Sequence, residues 1–529
     1  MDVDCIDYKD INFLPKLMND YVLDNQKLES FFEYKPEIEG FRKAIEQRKF
    51  ESEKRQVLVD TLYRQYENVE GSKKQLEFIN QLKNNNTYTV TTGHQICLFT
   101  GPLYFVYKIL SVVKLADRLK SEFYEKDFVP IYWMATEDHD FEEINHFFLH
   151  NKKFSFQSST KGAVGDIKPE VSEMLSELEQ ELGQGKLGVE LFGLFQNAYT
   201  SNNLSEATFK LVHSLLGEYG IVVLDPNNPE LKKLFIPAMA EELNQQIGFS
   251  SVTETSKKLT DLGYKTQVNP RDINLFYLQE GDRLRIEKHG DSFRTVENKV
   301  SWSKNEVLEE LNQHPERFSP NVILRPLYQE VILPNLSYTG GAGELSYWFQ
   351  LKEMFAAFQV PLPILMLRNS MIVVSKNNVT RLEKLGIKVR DLFSEITDLE
   401  ERLLKMHGNH QTEFVDERKK LKELFQEIQQ VSGKVTPALS TSVEATEAKV
   451  NKLIEKLEKK LLKHEKINQK TLLDQLYLIL DEVFPNGGFQ ERQFNFSEYY
   501  LEYGKQYLDQ AIDMFDPIKP EVSVLKLKN

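Results

Sequence analysis

The feature of this 529-residue chain that most restricts its fold is residues 128–135, FVPIYWMA, an apolar run that stops abruptly at Thr136-Glu137-Asp138-His139-Asp140. A strand that is apolar at every position has no solvated face, so it belongs in a parallel sheet covered by helices on both sides. Ligands of open α/β sheets bind beyond the carboxyl ends of the strands, which is where this run turns acidic. Residues 88–92, followed by Gly93 and a helix-forming stretch at 103–119, repeat the strand-loop-helix pattern, and 220–224 resumes the strand signal. Residues 319–325, 362–367 and 371–375 read as further core strands. The expected fold class is therefore α/β with a nucleotide-binding-type core.

Around that core the pattern changes several times. Residues 27–83 carry apolar side chains at three-to-four spacing, as amphipathic helices do, and 161–193 reads as an irregular, helix-containing insertion. Alternation at 275–294, broken at Glu280-Gly281-Asp282 and His289-Gly290-Asp291, predicts a small antiparallel meander. From 391 to 470 Glu and Lys are dense and the aromatics are Phe393, Phe414 and Phe425. There Phe414, Leu421, Leu424, Ile428 and Val431 form an a/d seam, which Ser432-Gly433 and Pro437 interrupt and Val443, Val450, Leu453 and Leu457 restart. The simplest reading is an antiparallel helical hairpin, either a solvated helix pair with no partner or, since its seam is thinly covered, a coiled coil that pairs with a second copy. The expected organisation is a helical segment at 1–86, core at 87–160, 201–250 and 301–390, insertions at 161–200 and 251–300, the hairpin at 391–475, and a docking segment at 476–529.

Charge and cysteine usage exclude several roles. With 80 Asp+Glu against 66 Lys+Arg the formal charge is −14, which repels a nucleic-acid backbone. Two cysteines, Cys5 and Cys97, are too few for a disulfide scaffold. The acidic N-terminus does not read as a signal peptide, and no stretch reaches the ~18 apolar residues of a membrane helix. A soluble cytoplasmic protein that binds neither membrane nor nucleic acid is expected.

Three constellations could carry chemistry. Thr92-Gly93-His94-Gln95, between a strand and a helix, lets backbone approach an anion, and His94 could donate to phosphate oxygens; a loop histidine satisfied by backbone is the plainer alternative. It is neither a Walker A loop nor a GxGxxG fingerprint. In the second, Asp138, His139 or Asp140 could act as general base; helix capping by Asp138 or Asp140, or a metal held by the cluster from Glu137 to His146, are the competing readings. In the third, Arg325 and Arg368 are candidate clamps for carboxylate or phosphate, with Gln329 and the loop Gly340-Gly341-Ala342-Gly343-Glu344 able to wrap a ligand. Salt bridges for the arginines and an ordinary turn for the glycines remain open. Cys97, among Ile96, Leu98 and Phe99, reads as a small buried hydrophobe.

The strings TGHQICLFTGPLYFVYKI, VPIYWMATEDHDFEEINH, SPNVILRPLYQEVILPNLSYTGGAGELSYWFQL and PNGGFQERQFN, in this order along essentially the whole chain, resemble the cysteine-adding enzymes of bacillithiol biosynthesis, the BshC family. The resemblance implies a Rossmann-like core akin to class I aminoacyl-tRNA synthetases and nucleotidyltransferases, two connecting insertions, and a coiled coil that makes a homodimer. It implies a ligase that joins the carboxyl group of cysteine to the amino group of glucosaminyl malate, the last step of bacillithiol synthesis. ATP, or bound ADP, with Mg²⁺ carried in on the nucleotide and no tightly bound protein metal, would serve the reaction. Gly93, His94 and Gln95 stand where the related synthetases hold a phosphate-contacting motif, whereas their lysine-rich signature loop is not recognisable here, so adenylate and acyl-phosphate activation both stay open. The rival readings are a coiled-coil scaffold with a vestigial core, and a metal-dependent hydrolase using Glu137 to His146.

Overall fold

The structure, a computed structural model, describes residues 2–11, 13–158, 162–407 and 413–527. Lys161, the first residue of one expected insertion, and residues 408–412 of the expected hairpin tract lie outside the described residues. The chain separates into two compact units, one formed by Val3–Ile372 with Gly488–Ser523, the other built mainly on Val373–Gly487.

The first unit holds five parallel strands: β1 (Thr87–His94), β2 (Asp127–Met134), β3 (Val222–Leu224), β4 (Asn335–Gly340) and β5 (Ile364–Leu367), in the order β5-β4-β1-β2-β3. The sheet grows from β1 through β2 and β3, then restarts on the other side of β1 with β4. The reversal therefore lies between β1 and β4, the position at which a Rossmann-like sheet opens a crevice. On one face Tyr88, Val90, Phe128 and Ile364 pack against Val112, Leu115 and Leu119 of α1 (Tyr104–Glu122). On the other, Val129, Ile131 and Trp133 of β2 share a core with Leu58, Leu62, Tyr66 and Phe235. With both faces covered, each such side chain contributes about 1.5–3 kcal/mol of burial, which a polar residue would forfeit.

Two of the expected core strands lie elsewhere. Residues 319–325 divide: Phe318–Pro320 pairs antiparallel with Leu275–Gln279, and Arg325 lies in the first turn of the helix α2 (Leu324–Ile332). The break comes at Asn321, whose Oδ1 accepts from the amides of Ile323 (2.9 Å) and Leu324 (3.3 Å), and Pro326 suits a first helical turn. The core strand of this region is β4, which the sequence reading did not single out and which ends at the glycine loop it did. Residues 371–375 do extend, as Ser370–Val374, but outside the parallel sheet.

The N-terminal helices fasten the amino edge of the sheet. Arg55 donates to the carbonyls of Leu82 (3.0 Å) and Thr87 (2.9 Å), and Arg48 to those of Glu330 (2.8 Å) and Leu333 (2.6 Å). The alternating runs at 275–294 lie in a second, antiparallel sheet whose turns use Gly281 and Gly290 at positive φ. In the second unit, Val415–Val435 and Pro437–Asn468 run antiparallel, joined by Arg418–Glu458 (2.6 Å) and Gln429–Glu444 (3.0 Å). No helix of the described residues is long and apolar enough to cross a membrane.

Candidate active site at the switch point

A cavity of about 430 Å³ opens at the carboxyl ends of β1, β2 and β4. Of the residues singled out from sequence, Gly93, His94, Gln95, Asp138, Arg325, Gly341, Glu344 and Arg368 line it. Thr92, His139, Asp140, Gln329 and Gly340 do not, although three of these hold the ones that do. Thr92 Oγ1 donates to the Thr339 carbonyl (2.7 Å) and ties β1 to β4. Gln329 Oε1 accepts from Arg325 Nη1 (3.1 Å), and the Gly340 carbonyl accepts the amide of Arg368 (2.9 Å). His139 and Asp140 are exposed, and Asp140 makes no side-chain cap to the short helix Phe141–Ile144. Of the expected acidic cluster, Glu137, Asp138 and Glu143 face the cavity. Among the described residues no group of three His, Cys, Asp or Glu side chains is gathered as metal ligands.

Gly93 is needed for closeness: a Cβ there would lie 3.0 Å from Tyr338 Oη and 3.5 Å from Arg325 Nη1. Next to it, His94 Nδ1 meets the Gln95 carbonyl at 2.9 Å. A carbonyl only accepts, so the proton sits on Nδ1 and Nε2 carries a lone pair. Burial, aided by the Lys108 charge, pushes the imidazole down to about 3, so the ring is neutral at working pH. For His94 to donate to phosphate, as expected from sequence, the ring must turn or take a second proton.

Gln95 Nε2 donates to both Asp138 Oδ2 (2.9 Å) and Glu143 Oε2 (2.7 Å). Burial would raise the Asp138 carboxyl, but hydrogen bonds from His139 and Gln95 and the Arg283 charge hold it well below the usual carboxylate range. Beside it, Glu137 pairs with fully buried Lys232 at 2.5 Å.

The opposite wall is cationic. Arg325 is framed by the rings of Trp133, Tyr338 and Trp348 at 5.3–5.7 Å, and the Tyr347 side chain bonds the same guanidinium. Arg368 bonds Glu491 (2.6 Å) and lies over Tyr104, and its buried Nε has no partner among the described residues. Both side chains line the cavity, and their guanidinium charge suits the anionic oxygens of a carboxylate or phosphate.

Sequence reasoning missed Lys108, Arg283 and Arg492, all of which line the cavity. Lys108 carried a signal, being the lone charge in the first ten residues of α1, YFVYKILSVV. Arg283 carried none: it comes from the antiparallel sheet, stacks on Phe276 at 4.0 Å and donates to His139 Nδ1 (2.8 Å). Arg492 lies in the late string that also pins the first loop, where Asn495 Nδ2 donates to the carbonyls of Phe99 (2.9 Å) and Gly101 (2.6 Å). That loop needs pinning, because Phe99 and Thr100 both hold positive φ.

Two family models cover this architecture. One, described as bacillithiol biosynthesis BshC, N-terminal Rossmann-like domain, matches residues 1–369, and the other, BshC, C-terminal coiled-coil domain, matches 371–527. The chain belongs to the BshC family. Curated BshC relatives, each named "Putative cysteine ligase BshC", include one from Flavobacterium johnsoniae, 40% identical with 100% of both chains covered, and one from Christiangramia forsetii, 41% identical over 99% of each. A solved structure titled as a putative arginyl tRNA synthetase from Campylobacter jejuni spans 82% of this chain and 98% of its own at 8% identity, and its TM-score of 0.20 carries no argument. The BshC Rossmann-like match contains every cavity residue discussed here except Arg492 and the Glu491 that steadies Arg368.

Proposed function

We propose that this BshC-family chain is a ligase that joins the carboxyl group of L-cysteine to the amino group of glucosaminyl malate, the last step of bacillithiol biosynthesis, using ATP to activate the carboxylate. The observation that carries this reading is one cavity lined both by cations, Arg325, Arg368 and Lys108 among them, and by the carboxylates Glu137, Asp138 and Glu143. Both substrates carry carboxylate and ammonium groups, so a cavity with opposed charges can orient them head to tail. The names of the full-length relatives support the same assignment.

In this scheme Arg325 and Arg368 hold the malyl carboxylates, with the loop from Gly340 to Glu344 closing over them. Asp138, braced by Gln95 and His139, orients the attacking amine; its low basicity suits an electrostatic partner better than a proton acceptor. Gly93 and His94 border the space for the activated carboxyl group and its phosphate, Thr92 fixes their strand to its neighbour, and Mg²⁺ arrives with the nucleotide. Asp140 lies too exposed to touch a substrate at this site.

Supplying purified protein with cysteine, glucosaminyl malate and ATP tests the reading. Bacillithiol is expected, with AMP signifying an adenylate and ADP an acyl phosphate. No amide product under saturating substrates refutes it.

The second unit supports a homodimer built on the hairpin. Leu424, Ile428, Val431, Leu453 and Leu457 of its seam are 40–66% exposed, a run of apolar surface that a second copy would cover. Sedimentation should give twice the chain mass, and Leu424→Lys with Leu457→Lys should give the monomer. A cytoplasmic setting fits the free thiols of Cys5 and Cys97.

A further inference from the structure

The proposed reaction leaves Lys108 without a role, yet Lys108 is the most deeply placed cation of the cavity. Its residue is 4% exposed, on the face of α1 that meets the crevice between β1 and β4. Nζ donates to the Gly93 carbonyl at 2.8 Å and to Glu344 Oε2 at 2.5 Å. Glu344 is held in turn by the Tyr338 hydroxyl on Oε1 and by the Gly341 amide on Oε2 at 3.3 Å. An ammonium has three N–H donors, and the third has no partner among the described residues.

We infer that Lys108 is a catalytic residue, whose third N–H contacts the carboxyl-derived oxygen of the acyl group being transferred. The inference rests on the ligase reading of this cavity. When the amine attacks, the new C–N bond forms and the carbonyl π pair moves onto that oxygen, making an oxyanion. The pair then returns as the C–O bond to the phosphoryl or adenylyl leaving group of the nucleotide-activated acid breaks, with its electrons on the departing oxygen. The amine proton passes to water. A donor fixed beforehand by Gly93 and Glu344 needs no reorganisation as this charge appears. Glu344, expected from sequence to help wrap a ligand, serves here as the counterion that aims Lys108, a positioning residue.

A purely structural strut gives a different result in one comparison. Glu344→Gln and the double variant Lys108→Met/Glu344→Gln both lose the ion pair, but only the first keeps the Lys108 nitrogen and its N–H donors at the site. A contact with the reacting oxygen predicts that Glu344→Gln retains a kcat at least ~100-fold above the double variant, with KM for glucosaminyl malate within about threefold. Equal kcat in the two variants overturns the inference. If the wild-type protein forms no amide, the ligase reading fails separately, and inorganic phosphate becomes the probe. Glu344→Gln should then bind phosphate at least tenfold more tightly by calorimetry than the double variant, and equal affinities overturn the contact.

Discussion

Replacing Arg325 by glutamine should raise KM for glucosaminyl malate while leaving the fold in place. Gln329 already holds Nη1 at 3.1 Å and three aromatic rings frame the guanidinium, so it is ordered before a ligand arrives, and little entropy is lost on binding. A guanidinium N–H donating to a malyl carboxylate then makes one charge-assisted hydrogen bond, worth about 1.5–3 kcal/mol. At about 1.4 kcal/mol per decade this is a roughly 10- to 150-fold rise in KM. Arg325→Lys keeps the charge and loses the fork, and should fall between. Steady-state kinetics measures the ratio, and a thermal melt without substrate supplies the control. The ligand-free variant should lose no more than the bonds to Gln329 and Tyr347. A KM within about threefold of wild type, or a variant that no longer folds, refutes the assignment and makes Arg325 a structural strut.

Other outcomes follow from the same geometry. Lys232→Met strips Glu137 of its buried counterion and the Phe318 carbonyl of its 2.7 Å donor, and should lower stability by about 3–5 kcal/mol in urea melts, with Glu137→Leu in the same chain restoring most of it. Gly93→Ala places a methyl group against Tyr338 and Arg325; a cost of about 1–3 kcal/mol and a drop in turnover are expected, and unchanged turnover would mean the wall there is slack. Asp225, behind Thr136 at 2.6 Å, is raised by burial to about 6. Its folded pKa exceeds its unfolded value, so its stabilising contribution is complete below pH ~4 and is lost as pH rises through 6. Asp225→Asn should flatten the stability profile over that window in melts taken from pH 4 to 7.

What could be read beforehand follows from periodicity. The apolar run now known as β2, the helix after Gly93 and the charged hairpin each announce themselves because burial or solvation acts on every residue of the element. Strand β4 did not, since NLSYTG is buried by its neighbours rather than by its own hydrophobicity: Asn335 is tolerated inside because Thr89 and Thr91 donate to its Oδ1 at 3.1 and 2.8 Å. Arg283 was hidden for a different reason. A residue that enters a site from another sheet is placed by tertiary packing, which leaves no trace in local spacing. The acidic cluster was half legible, because at the strand end Asp138 lines the cavity whereas its neighbour His139 is exposed and accepts from Arg283 at the rim.

The same placement of charge fixes how turnover should respond to pH. His94 is neutral with its imidazole pushed down to about 3, and Asp138 stays ionised below the usual carboxylate range, so neither titrates between pH 6 and 9. A rise in kcat/KM across that window then reports the substrate ammonium, whose free-amine fraction grows with pH, rather than His94 or Asp138 acting as base. His94→Gln and Asp138→Asn should each lower the rate through lost orientation, and the rising limb should keep its midpoint in both. Replacing glucosaminyl malate with an analogue of lower amine pKa should move that midpoint down by the same interval. A limb that vanishes in either variant would mean that the side chain takes the proton, and that its environment in the substrate complex reverses the one described here.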